Sequence, residues 1–169
     1  MSDKAFTTGF LLYPRLTQLD LTVPFEVLSH LPGCRCVLVA ATQAPVADGR
    51  GMSIVPTATF ADAPMLDLIC VPGGAGTMEA AADPDTIAFV QWAAGAAAWI
   101  TSVCTGSLIL GAAGLLRGKR AACHWAYRHL LTHFGAIPVA ERVVEDGNII
   151  TGGGVTAGLD FAAACRRWR

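Results

Sequence analysis

The chain has 169 residues, of which 53% are hydrophobic and 15% charged, and its formal net charge is -1. That balance excludes a disordered segment and describes one globular domain, 1–169, large enough to bury a core. With 12 Lys and Arg against 13 Asp and Glu there is no basic field for nucleic acid, and every apolar run is interrupted too early to span a bilayer.

The first residues, Met1-Ser2-Asp3-Lys4-Ala5-Phe6, lack the basic and apolar pattern of a signal peptide, so a cytoplasmic protein is expected. Six cysteines, at 34, 36, 70, 104, 123 and 165, do not read as a disulfide framework in that compartment. Cys34 and Cys36 form a C-x-C pair on an expected strand, where alternation points both to one face. A zinc site needs a denser set of ligands, and none is evident. Cys34, Cys36 and Cys70 therefore read as small buried hydrophobes; Cys123 and Cys165 are left open.

In chain order, residues 6–13 read as a strand and 19–31 as a helix carrying Pro24. Strands are expected at 36–41 and 53–57. Another at 66–71 runs into Pro72-Gly73-Gly74-Ala75-Gly76. Asp83-Pro84 is a cap followed by a first-turn proline and opens a helix over 85–97. A strand at 99–103 precedes a helix at 105–115. Residues 120–124 are extended, and 126–134 helical. Segments 143–145 and 148–151 form a hairpin around Asp146-Gly147. A last helix starts near 155–158. Strands alternating with helices imply a mostly parallel sheet covered on both faces, with ligands at the carboxyl ends of the strands.

Three features fall at those ends. Cys104 lies where an apolar strand turns into a helix, and a helix N-terminus favours thiolate over thiol. Asp20, flanked by apolar residues, reads either as a helix-start carboxylate or as a carboxyl whose pKa is raised by burial and a neighbouring negative charge. Glu26 competes with it but is expected to face solvent. Gly73-Gly74 can present backbone N–H groups to a ligand, yet lacks the Lys-Ser/Thr ending of a phosphate loop. His124 reads as a neighbour of the site rather than its base, while His30, His129 and His133 read as surface residues. Gly152-Gly153-Gly154-Val155-Thr156-Ala157-Gly158, just before the last helix, reads either as a tight strand-to-helix turn or as a stretch whose close backbone approach lets N–H groups hydrogen-bond a thiolate.

The segments Thr17-Gln18-Leu19-Asp20-Leu21-Thr22, Val71-Pro72-Gly73-Gly74-Ala75-Gly76, Val103-Cys104-Thr105-Gly106-Ser107, His124-Trp125 and the stretch 146–160 resemble the DJ-1/PfpI superfamily, and within it the isonitrile hydratase branch. Many superfamily members carry Glu where this chain has Asp20; Asp is similar to the hydratases. The resemblance implies a flavodoxin-like three-layer sandwich with a cysteine nucleophile elbow, a homodimer, and no cofactor or metal. It implies Cys104 as nucleophile, Asp20 as acid/base, and Thr105 acting at the elbow through its N–H or hydroxyl. Gly73 and Gly74 match backbone donors, and Val155 and His124 fall on the substrate side. The implied reaction hydrates an isonitrile to an N-substituted formamide through a thioimidate on Cys104. Family members usually continue well beyond the position of Asp160, so a short last helix and the lack of a further covering helix are expected. Two other readings of the same superfamily compete: a ligand-sensing domain without turnover, and a thiol redox or stress protein.

Overall fold

The computed structural model describes residues 5–154 and 156. Strand β1 (Phe6–Leu11) leads into helix α1 (Gln18–Ser29) and strand β2 (Cys34–Ala40). Three two-residue strands follow: β3 (Val46–Ala47), β4 (Ser53–Ile54) and β5 (Ala58–Thr59). Strand β6 (Leu68–Val71) precedes helices α2 (Thr77–Ala82) and α3 (Pro84–Ala96), and β7 (Trp99–Val103) precedes α4 (Gly106–Ala112). Strand β8 (Arg120–Ala121), a 3-10 helix (Arg128–Phe134) and β9 (Ile137–Pro138) lead to the hairpin β10 (Val143–Asp146) and β11 (Ile149–Gly152).

The main sheet has seven strands in the order β10-β11-β7-β6-β1-β2-β5. All its pairings are parallel except β10 with β11. Its central strands are buried on both faces because both are covered: β6 is buried throughout, and β7 is buried from Ile100 on. The chain steps from β1 to β2 in one direction and from β6 to β7 in the other. Right-handed crossovers then put α1 on one face and α3 and α4 on the opposite face. Accordingly α1 packs on β1 and β2, whereas α3 packs on β6 and α4 on β6 and β7. The order reverses between β1 and β6, and such a switch point leaves a crevice at the strand ends.

The flavodoxin-like α/β architecture expected from the sequence is therefore present, with three local corrections. The strand expected over 53–57 is cut to Ser53–Ile54, which pairs antiparallel with Val46–Ala47 away from the main sheet, and a separate strand, Ala58–Thr59, forms the sheet edge. Pro56 lies between the two strands and cannot donate to a ladder. The segment expected as helix over 126–134 is a 3-10 helix over Arg128–Phe134, ended by Gly135 at φ 71°. Helix α2 is additional. The last helix, Val155 and Cys165 lie outside the described residues.

Helix α3 forms as its sequence dictates. Asp83 caps it by accepting from the Thr86 N–H at 2.9 Å, with Pro84 in the first turn. Helix α1 buries Leu21, Pro24 and Leu28, together with Asp20, and Phe25 meets Phe10 of the sheet at a ring distance of 5.3 Å. Asp20 is one helical turn before Pro24, so the face that buries the apolar residues also carries the carboxyl inward.

Candidate active site

Cys104 follows the last residue of β7 and takes φ 58°, one of two non-glycine residues with positive φ among those described. A left-handed cysteine is strained, and the strain persists only where surroundings enforce it. Here they do. The Cys104 N–H donates to the Gly152 carbonyl at 2.8 Å, extending the β7–β11 ladder, and its carbonyl accepts from the His124 N–H at 3.3 Å. The chain must then turn at once into α4. The Pro72-Gly73 loop presses against this turn: a Cβ on Gly73 would lie 2.5 Å from the Thr105 nitrogen and 2.9 Å from the Cys104 Cβ. Only glycine permits that approach.

Asp20 reaches the same place from α1. It is fully buried. Its Oδ2 accepts from the Gly73 N–H at 3.2 Å, while Oδ1 has no hydrogen-bond partner of normal geometry. The Cys104 thiol neighbours this carboxyl closely enough for each to act on the other's proton.

Burial pushes Asp20 up to about 6, against the smaller lowering effects of Cys104 and of the Gly73 N–H. Cys104 is pushed up to about 12, first by burial and then by the negative charge of Asp20; the Thr105 N–H opposes this only in part. This corrects the expectation that the helix N-terminus makes Cys104 a ready thiolate. Burial and the neighbouring carboxyl work against the dipole, and both groups are held above their ordinary range. The proton leaves sulfur only when something accepts it.

A family model described as the DJ-1/PfpI family matches residues 8–167. The chain belongs to the DJ-1/PfpI family. It is 56% identical over 94% of its length to an isonitrile hydratase from Pseudomonas putida, spanning 69% of that protein. It is 29% identical to the HTH-type transcriptional regulator GbdR of Pseudomonas aeruginosa, over 90% of this chain and 44% of that one. Among solved structures, a THiJ/PfpI family protein from Pseudomonas syringae superposes with a TM-score of 0.92 at 46% identity, covering 98% of this chain and 71% of the other.

Within this DJ-1/PfpI site the remaining residues divide clearly. The Thr105 hydroxyl accepts from the Gly74 N–H at 3.0 Å and meets the Thr77 hydroxyl at 2.8 Å, so Thr105 acts on Cys104 through its N–H. The Gly73 and Gly74 N–H groups are both engaged, with Asp20 and Thr105 respectively. The Gly153 N–H goes to the Arg142 carbonyl at 2.8 Å and not to the thiol; Gly152 serves Cys104 as an acceptor. His124 is half-buried, and its Nδ1 accepts from the Ala126 N–H at 3.3 Å, which leaves the ring proton on Nε2. With Cys123, Trp125, Gly153 and Gly154 it lines a cavity of about 390 Å³ beside the elbow.

Glu26, His30, His129 and His133 are exposed, as their sequence context predicts. Cys70 is buried as expected, whereas Cys34 and Cys36 are only half-buried, which corrects the expectation that all three are buried. Cys123 is buried with its thiol pushed up by desolvation. Among the described residues no group of three or more His, Cys, Asp and Glu is arranged to hold a metal ion. Tyr13 and Thr77 were not marked by any sequence motif, yet both stand against the site: the Tyr13 hydroxyl donates to the Pro72 carbonyl at 2.7 Å and lies 3.1 Å from the Thr77 hydroxyl.

Proposed function

We infer that this chain hydrates isonitriles to N-substituted formamides. The observation that carries the reading is the buried Asp20–Cys104 pair at a strained elbow, in a chain 56% identical to an isonitrile hydratase over 94% of its length. The terminal carbon of R–N≡C is electrophilic and accepts both a nucleophile and a proton. The Asp20 carboxylate takes the Cys104 proton as Sγ bonds to that carbon, then returns the proton to the same carbon. The product is the thioimidate R–N=CH–Sγ. Asp20, ionised again, takes a proton from water as its oxygen adds to the carbon, and the imine nitrogen gains that proton. The adduct R–NH–CH(OH)–Sγ collapses: the C–S bond breaks, the hydroxyl proton returns to sulfur through Asp20, and R–NH–CHO leaves. The sum is one isonitrile and one water to one formamide.

The Thr105 N–H supports negative charge on Sγ during these steps. Gly73 holds Asp20, and Gly74 holds Thr105. The cavity beside His124 receives the organic group. We also propose that 1–169 acts as a single domain, as a homodimer and in the cytoplasm; among the described residues no helix is long and apolar enough to cross a membrane.

The test is formamide formation from an aryl isonitrile by the wild-type chain and by Cys104→Ala. Formamide made only by the wild type supports the hydratase. Equal production by both contradicts it. Saturable isonitrile binding without turnover supports the second reading, a ligand-sensing domain, which the likeness to a transcriptional regulator favours.

A further inference from the structure

Behind the elbow lies a group of hydroxyls that the reaction does not consume. The Thr77 hydroxyl donates to the Gly74 carbonyl at 2.8 Å. Its single proton is then spent, so at its 2.8 Å contact with Thr105 the Thr105 hydroxyl is the donor. The Thr105 oxygen in turn accepts from the Gly74 N–H at 3.0 Å. Gly74, Thr105 and Thr77 thus close a ring of three hydrogen bonds. All of it is internal: Thr77 is 2% and Thr105 6% exposed. Tyr13, 3% exposed, braces it by donating to the Pro72 carbonyl, the residue before Gly73.

Two of the three residues in the ring adjoin or carry a group that touches the reacting pair. Gly74 follows Gly73, whose N–H holds the Asp20 carboxyl. Thr105 follows Cys104, and its N–H acts on the thiol. Thr77 begins α2 and ties both to one fixed frame. We propose that Thr77, braced by Tyr13, is a positioning residue for the hydration reaction: it fixes the Gly73 and Thr105 N–H groups against Asp20 and Cys104 without touching the substrate. This rests on the hydratase reading for its meaning but not for its geometry.

The consequence has a definite sign. Loss of the Thr77 hydroxyl loosens the Gly73 N–H from Asp20 and the Thr105 N–H from Cys104. Each donor stabilises the charged form of its partner, so both groups become harder to ionise. A side chain that served only to fill space would lower stability without moving either titration. Misplacement of this kind lowers kcat while leaving KM nearly unchanged, because the residue lies behind the reacting pair.

The experiment compares Thr77→Val, Thr77→Ser and Tyr13→Phe with the wild type, with thermal melting to establish that each is folded. Two quantities are followed: kcat and KM for an aryl isonitrile, and the pH dependence of Cys104 alkylation by iodoacetamide, read on the Cys104 peptide by mass spectrometry. Thr77→Val should lower kcat roughly 10- to 100-fold and move the acid inflection of alkylation, where the Asp20 carboxyl becomes able to take the thiol proton, upward by roughly half a unit or more. Thr77→Ser should restore both. Tyr13→Phe should shift the inflection in the same direction by less, and it decides the matter if Thr77→Val does not fold. An unmoved inflection in a folded variant, or failure of Thr77→Ser to restore it, overturns the proposal. A wild type that alkylates as described but turns over no isonitrile sinks the hydratase reading alone.

Discussion

At the scale of single residues, the site is governed by which proton sits where. Asp20 and Cys104 are both buried, and each is held above its ordinary range by desolvation first. A carboxylate that must take a thiol proton works only when ionised. Turnover (kcat/KM) should therefore rise through about pH 6 as Asp20 ionises and stay level through the ordinary thiol range near 9, since Cys104 itself lies at about 12. A pH–rate profile checks this; a limb near 9 in place of the one near 6 would show that free thiolate, not the Asp20 carboxylate, sets the rate. The same burial has a cost in stability. The folded state holds the Asp20 proton more tightly than the unfolded chain, so stability falls as pH rises from the ordinary 3.8 through about 6 and stays lowered above that. Two units correspond to about 3 kcal/mol at most. Asp20→Asn should abolish turnover yet stabilise the fold at pH 7.5 by roughly 1–3 kcal/mol, and the gain over the wild type should shrink as pH falls from 6 to 4, as measured by urea denaturation. A destabilised Asn variant would mean that the carboxylate is better satisfied than its unpartnered Oδ1 indicates.

At the scale of elements, the loop after β6 is the piece on which the others are hung. It approaches the elbow so closely that no side chain fits at Gly73, and the obstructing atoms are backbone as well as side chain. Gly73→Ala must shift the Cys104-Thr105 turn or the loop itself. The expected result is a loss of about 2 kcal/mol or more by denaturant unfolding, together with loss of turnover in the folded fraction. Full activity in Gly73→Ala would mean that the close approach is not needed for the site. Much of this level was legible in the sequence. The strand over 99–103 and the Asp83 cap of α3 were readable because each rests on local chemistry: an apolar run, and a capping side chain before proline. Helix α2 was not, because Thr77-Met78-Glu79-Ala80-Ala81-Ala82 has no apolar stripe and its place is set by tertiary contacts behind the elbow. Tyr13 and Thr77 were invisible for the same reason: their contact joins residues 64 apart in the chain. Thr105 was recognised as part of the elbow, but whether its N–H or its hydroxyl serves the thiol depended on a partner the sequence could not place. The resting state of Cys104 went against the local rule, because the helix-end effect is small beside the burial of the thiol next to a carboxylate.

At the scale of the whole molecule, the reversal of strand order between β1 and β6 is what brings the pieces together. Asp20 comes from the helix after β1, Gly73 from the end of β6, Cys104 from the end of β7 and Gly152 from the end of β11, all neighbours in the sheet order. Four separate segments of sequence thereby converge on one crevice, and the fold class alone predicts where. What separates the hydratase reading from a ligand-sensing one is whether a bond is made to Cys104 and then broken by water. The most direct measurement is the intact mass of the protein, with peptide mapping, after brief mixing with an aryl isonitrile and acid quenching. A transient adduct on Cys104, equal in mass to the whole isonitrile, is expected to decay as formamide appears and to be missing in Cys104→Ala. Formamide produced with no adduct on Cys104, or at an undiminished rate by Cys104→Ala, would contradict hydration through a thioimidate on Cys104.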